Sequence, residues 1–210
     1  MSGYKVALTT ITLLAAAALN GVVAAKPSSG CGNSPKLAGN GTVEHLITVG
    51  GKSRKFYLKT PATYDNNHPY RFIFTLHALG GSANQVATGT GGYNAWYGLP
   101  PLVNDTTDAI YVAPDGLDRG WANQNDGDVT FLSEVIKQVE ADLCIDQSLR
   151  FSTGFSYGGA MSYALACSLG SEIRAIAVLS GNPQISGCAG GTSTGRLLRT
   201  AWCIRFQFFP

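Results

Sequence analysis

The chain has 210 residues, 45% of them apolar and 13% charged, enough to pack a core and too apolar for a disordered chain. Its formal net charge is +2, and three cations (Arg196, Arg199, Arg205) crowd the last fifteen residues. So small and localised an excess excludes binding to nucleic acid or a membrane surface as the main function.

In chain order, Lys5 and the apolar stretch Val6 to Leu19, followed by the small residues Val23-Ala24-Ala25, predict an export signal over residues 1–25. The run is short for a membrane span and is interrupted by Asn20 and Gly21. Residues 26–41, rich in Gly, Ser, Pro and Asn, read as extended chain. Val43 to Val49 and Arg54 to Leu58 are strand-like around Gly50-Gly51, which predicts a hairpin. Arg71 to Leu76 (RFIFTL) reads as a strand buried on both faces. A glycine-dense loop from Gly80 to Gly98 carries Tyr93, Trp96 and Tyr97. Ala109 to Ala113 is a second buried strand, stopped by the turn residues Pro114-Asp115-Gly116.

Asp128 is expected to cap a helix whose apolar residues Val129, Leu132, Val135, Ile136, Val139 and Leu143 recur at three- and four-residue spacing. Leu149 to Phe155 is strand-like, Tyr157 to Leu169 helix-like with Gly170 as its stop, and Arg174 to Leu179 a further buried strand. Strands alternating with helices imply a mostly parallel sheet with helices on both faces, an α/β fold.

Export would place the five cysteines in an oxidising compartment, where disulfides persist. No pair has CxxC spacing, so zinc and dithiol redox sites are not expected. The disulfide candidates are Cys31, Cys144, Cys167 and Cys188; their pairing stays open, and an odd total leaves one thiol over. Two sequons, at Asn40 and Asn104, are glycosylation candidates. No metal cluster, phosphate loop or dinucleotide fingerprint is present, so neither metal nor cofactor is expected. The oligomeric state is not readable.

The chemistry concentrates in Gly154-Phe155-Ser156-Tyr157-Gly158, a G-x-S-x-G between a predicted strand and a predicted helix. A turn that tight requires small residues beside the serine, and it stands the hydroxyl at the carboxyl edge of the sheet. Ser156 is therefore the candidate nucleophile of an acyl-transfer reaction. The N–H of Tyr157 is a candidate oxyanion donor. The segment His77-Ala78-Leu79-Gly80-Gly81 follows the RFIFTL strand, where a second donor loop belongs. The donor is assigned to Leu79, with Ala78 as the alternative.

Together with Ala113-Pro114-Asp115-Gly116, Gly120-Trp121, Asp128-Val129 with Phe131-Leu132, and Gly154 to Tyr163, these segments make the chain resemble the fungal feruloyl esterases of the C type. More broadly it is similar to esterases related to polyhydroxybutyrate depolymerases and to some acetylxylan esterases. The resemblance runs from about Cys31 to about Thr192. It implies an α/β-hydrolase fold and, outside the cell, hydrolysis of the ester joining ferulic acid to arabinose on xylan (arabinoxylan) or pectin. The loop aromatics and Trp121 could line a phenolic pocket, although core packing is the expectation for any single one.

The chain departs from the family in one respect. A serine needs a base, and that base an orienting acid, in the order Ser, then Asp or Glu, then His. After Ser156 there is no His and no Asp, and the one carboxylate is Glu172. His45, His68 and His77 all precede it, and His77 belongs by resemblance to the oxyanion loop. Residues 192–210 are basic and aromatic and unlike what precedes them, which suggests a frameshift, a retained intron or a truncated gene. The expected organisation is thus a signal (1–25), a partial hydrolase domain (26–191) and an aberrant tail (192–210). Alternatives to an active feruloyl esterase are a catalytically dead remnant with at most polysaccharide binding, or an esterase for acetyl or hydroxybutyrate groups.

Overall fold

The computed structural model describes residues 24–102 and 109–181. The predicted export signal up to residue 23, Asn104, Cys188 and the tail lie outside them.

Six strands form one mixed sheet: β1 (Thr42–Val49), β2 (Lys52–Lys59), β3 (Tyr70–Leu76), β4 (Ala109–Pro114), β5 (Ile145–Phe155) and β6 (Ala175–Leu179), in the order β1-β2-β4-β3-β5-β6. The predicted hairpin forms: β1 and β2 pair antiparallel, and β2 pairs antiparallel with β4. The remaining pairs, β3–β4, β3–β5 and β5–β6, are parallel. Gly50 and Gly51 make the β1–β2 turn in the left-handed region (φ 56° and 74°), which glycine enters without steric cost.

The period-two alternation of side chains sorts the sheet into two cores. Phe56, Leu58, Phe72, Phe74, Leu76, Ile110 and Val112 face α2 (Gly127–Asp142) and α3 (Tyr157–Ser168). Tyr111 and Ala113, with Ile73 and Tyr57, face the opposite layer of α1 (Ala83–Thr88) and Trp96. Helices thus cover both faces, as the α/β reading expects. Each fully buried Phe or Leu contributes about 1.5–3 kcal/mol relative to exposure.

Three local expectations need correction. The glycine-dense loop contains α1, with Ser82 Oγ accepting from Gln85 N (3.4 Å) and Gly89 ending the helix at φ 75°. Asp128 is not the cap of α2. Asn123 Oδ1 accepts from the N–H groups of Asp128 and Val129 (3.1 Å each), reaching across the preceding turn. Finally, β6 is only half-buried: Ile176 and Val178 point into the core while Ala177 is exposed.

Cys31 and Cys144 form a disulfide closing a separation of 113 residues, and Cys167 is also disulfide-bonded. The first bridge pins the N-terminal segment to the end of α2, where Ser28 Oγ donates to Leu143 O (2.7 Å) and accepts from Ile145 N (2.9 Å).

Candidate active site

Chain connections leave β3 toward β4 on one side and β5 toward β6 on the other. The crevice between the carboxyl ends of β3 and β5 is therefore the topological switch point, where α/β sheets bind ligands. The loop after β3 begins at His77, and Ser156 directly follows β5.

Ser156 sits at φ 53°, ψ −112°, a conformation that costs a non-glycine residue on the order of 1–3 kcal/mol. It is held there from both sides: its N–H donates to Leu179 O (2.8 Å), and its carbonyl accepts from Ala160 N (3.0 Å). The flanking glycines are sterically required. A Cβ on Gly154 would lie 2.4 Å from the Gly158 carbonyl carbon, and a Cβ on Gly158 would lie 2.1 Å from Leu76 O. The strand-to-helix turn can thus close only on hydrogen atoms at these positions. Ser156 is partly exposed, its side chain caps no helix amide, and it stands at the N-terminus of α3, where a developing negative charge is favoured.

Of the two candidate donors after β3, Ala78 is engaged: its N–H donates to Tyr93 Oη (2.9 Å). The N–H groups of Leu79 and Tyr157 have no partner among the described residues. Their side chains converge over Gly120, where a Cβ would come within 3.2 Å of Leu79 Cδ1 and 3.1 Å of Tyr157 Cε1. The fold therefore brings the two sequence-predicted donor residues together beside Ser156.

His77 has a different task. Gly116 N donates to its Nε2 (2.9 Å), so that nitrogen carries no proton, and Nδ1–H donates to Ala78 O (2.8 Å). The ring is fully buried and lies on Trp121, whose indole N–H donates to His77 O (2.8 Å). Both nitrogens are committed to joining the β3 and β4 loops, which leaves neither to take a proton from Ser156. Burial pushes its pKa below the ordinary histidine value, more than Ala78 O and Asp115 raise it.

The other titratable candidates lie elsewhere. His45 sits on the outermost described strand, β1, against Phe56. His68 precedes β3 and packs on Tyr70, at the opposite end of the sheet from Ser156. Glu172 precedes β6, also at that far end, and pairs with Arg150 (3.3 Å). Among the described residues, no histidine or carboxylate is placed to serve Ser156 as base or acid.

The neutral His77 makes stability depend on pH. The unfolded chain binds a proton near the ordinary histidine pKa of about 6.5, while the native ring resists it. The unfolded state therefore holds more protons below that pH, and native stability falls as pH drops. The buried side of His45 acts in the same direction. The urea midpoint should decline between pH 7 and pH 5, and a midpoint that rises over this window contradicts the tautomer assigned here.

The loop aromatics serve as scaffolding. Trp96 is buried against Tyr111. Tyr97 Oη donates to Leu76 O (2.6 Å) and accepts from Phe155 N (3.1 Å), bridging the ends of the two switch-point strands; burial pushes its pKa up. Tyr97→Phe would orphan both backbone groups and should destabilise the protein by about 1–3 kcal/mol in urea titrations. An unchanged midpoint would show that water replaces the hydroxyl.

Sequence gave no sign of a buried ion pair beside the site. Arg54 Nη2 meets Asp128 Oδ1 at 2.7 Å with both side chains buried, and the guanidinium stacks over Phe131 at 3.9 Å. Asp128 Oδ2 accepts from Asn123 N (2.8 Å), and Arg54 also donates to Asp115 O (3.2 Å). This network anchors the loop of residues 117–126 that borders the serine.

A strained serine in a strand-to-helix turn, at the switch point of a mixed sheet with helices on both faces, defines the α/β-hydrolase fold. Solved structures agree. A ferulic acid esterase of Anaeromyces mucronatus, determined with ferulic acid bound, superposes with a TM-score of 0.54 at 18% identity, covering 79% of this chain and 71% of its own. The S-formylglutathione hydrolase of Staphylococcus aureus gives 0.54 at 15% identity, covering 67% and 57%. No protein-family model matches the chain.

Curated sequences carry the comparison further. Feruloyl esterase D of Neurospora crassa is 50% identical over 195 residues, 91% of this chain and 66% of the relative. Feruloyl esterase C of Emericella nidulans is 48% identical over 180 residues, 86% of this chain and 62% of the relative. The chain belongs to this family of fungal feruloyl esterases, and it spans about two thirds of the length of the relatives it matches.

Proposed function

We propose that this protein is an extracellular serine esterase that hydrolyses feruloyl esters of plant cell-wall polysaccharide, arabinoxylan or pectin. Ser156 Oγ attacks the ester carbonyl and the sugar leaves as the alcohol; water then releases ferulic acid from the acyl-enzyme. The N–H groups of Leu79 and Tyr157 hold the oxyanion. The observation that carries this reading is the backbone of Ser156, strained at the switch point beside two amides without partners. The family supplies the acyl group, since its named members are feruloyl esterases. Export is supported by the N-terminal apolar run and by a disulfide of the kind that persists in oxidising compartments. Asn40, exposed in its sequon, is the proposed glycosylation site among the described residues.

A second reading rests on one further observation: no His or Asp follows Ser156. In this reading the 210 residues form the ester-binding and nucleophile-bearing frame but supply no general base. Without triad function, residual acceleration over water is about 10³–10⁴-fold, from oxyanion stabilisation and binding. Free imidazole should then stand in for the absent base. Assayed with imidazole, methyl ferulate should be cleaved faster than the matching acetyl and 3-hydroxybutyryl esters. Preference for either of the latter would reassign the acyl group within the same fold.

A further inference from the structure

A cleft of about 570 Å³ opens beside the proposed oxyanion donors, with Leu79 and Tyr157 on one wall. Its other walls come from the β1–β2 turn and from residues 117–130. Lys52, Asp118, Gln124, Asn125 and Thr130 line it, and all five are exposed. None makes a side-chain hydrogen bond or ion pair among the described residues. Their combined donors and acceptors are therefore unspent.

The backbone of this wall is also unusual. Asp118, Arg119, Asn123, Asn125 and Asp126 all have positive φ, between 46° and 58°. The loop is fixed by buried polar bonds at its base: Asn123 caps α2, and Asp128 binds Asn123 N. Amide and hydroxyl groups on a loop held in this way are a preorganised surface, which lowers the ordering cost of a polar ligand.

The charges select among polar ligands. Lys52 and Asp118 cancel formally, as do Arg54 and Asp128, which are already paired. The cleft thus presents no net charge, with side chains that both donate and accept. A polyanion finds no excess of cations there, whereas a neutral chain of hydroxyls finds matching partners.

We propose that this cleft is the subsite for the sugar side of the ester and that it takes a neutral pentose-based glycan, of the arabinoxylan kind, rather than a galacturonan such as pectin. The proposal rests on the esterase reading for its orientation: the acyl carbonyl lies at Ser156 and the glycan extends past Leu79 and Tyr157 across Gln124 and Thr130. It narrows the substrate class from two polysaccharides to one.

Binding can be tested without catalysis. The full chain is titrated with ferulate-free arabinoxylo-oligosaccharide and, separately, with oligogalacturonate, by calorimetry and by amide chemical shifts. The arabinoxylo-oligosaccharide should bind and shift amides at Lys52, Asp118, Gln124 and Asn125, and oligogalacturonate should not. Gln124→Ala combined with Thr130→Ala, both on exposed positions, should weaken binding by about tenfold. Lys137→Ala, on the far exposed face of α2, should leave it unchanged. Equal binding of the two glycans, no binding of either, or shifts confined to another surface would overturn the proposal. Methyl ferulate carries no glycan, so its hydrolysis by the unsubstituted chain reports on the esterase reading separately. Cleavage of methyl ferulate without selective glycan binding would refute the cleft alone, and selective binding without cleavage would refute the esterase reading alone.

Discussion

Gly158→Ala should unfold the protein or cost it more than about 4 kcal/mol, placing it among the rare point changes of that size. The added Cβ would lie 2.1 Å from Leu76 O and 2.6 Å from His77 O, both backbone atoms of the switch-point strand and its loop. No rotamer change relieves a contact with backbone, so β3 and α3 must separate, and the core between them opens. Gly127 provides the contrast. It starts α2 with ordinary helical angles (φ −64°, ψ −35°), and a Cβ there meets nothing within 4 Å. Gly127→Ala should raise stability by about 0.4–1 kcal/mol, through a less flexible unfolded chain. Urea titration of both variants decides the matter. A Gly158→Ala midpoint equal to that of the unsubstituted protein would mean that the turn is looser than described and that its glycines are not steric requirements.

The second large effect concerns Asp128→Ala, which should cost about 3–5 kcal/mol, because it strands the buried Arg54 charge. Arg54 Nε already lacks a partner among the described residues, so little remains to compensate the guanidinium. The Asn123 N–H would be orphaned at the same time, and with it the bond that fixes the loop along the cleft. Replacing both partners, Arg54→Met with Asp128→Leu, removes the stranded charge. The double variant should regain most of the loss while keeping a residual cost of about 1–3 kcal/mol for the unpaired amide. A double variant less stable than Asp128→Ala would show that the pair attracts by more than its desolvation costs, the opposite of the usual balance.

Local patterns made most of this fold legible. The alternation in Val43–Val49, the apolar RFIFTL run and the three- and four-residue spacing after Asp128 depend on neighbouring residues, and each yields its element in the structure. G-x-S-x-G was legible for a similar reason, since its glycines answer a steric demand made within five residues. Features that depend on distant partners were not. Helix α1 is only six residues long within glycine-rich chain, and its marks, Ser82 and Gly89, resemble ordinary loop residues. The cap on α2 comes from Asn123, five residues before the first amide it binds, so the nearer Asp128 drew the assignment. Asp128 instead partners Arg54, 74 residues away, a pairing that no periodicity encodes. For His77 the sequence indicated the loop but not the tautomer, which depends on Gly116 N arriving from β4.

The central claim is that Ser156 is the nucleophile of an ester-cleaving frame to which the 210 residues add no general base. Catalytic residues that act as a unit are strongly non-additive, so removing the serine matters little once the base is missing. Methyl ferulate hydrolysis by the purified chain and by Ser156→Ala, each with and without added imidazole, tests this directly. Without imidazole the two rates should agree within about tenfold. With it, the unsubstituted chain alone should accelerate, by about tenfold or more, as a diffusible base recovers part of the 10²–10⁴-fold that a positioned one contributes. Equal rates for both proteins in imidazole would contradict Ser156 as nucleophile, and a fast, serine-dependent rate without imidazole would contradict the absence of a base.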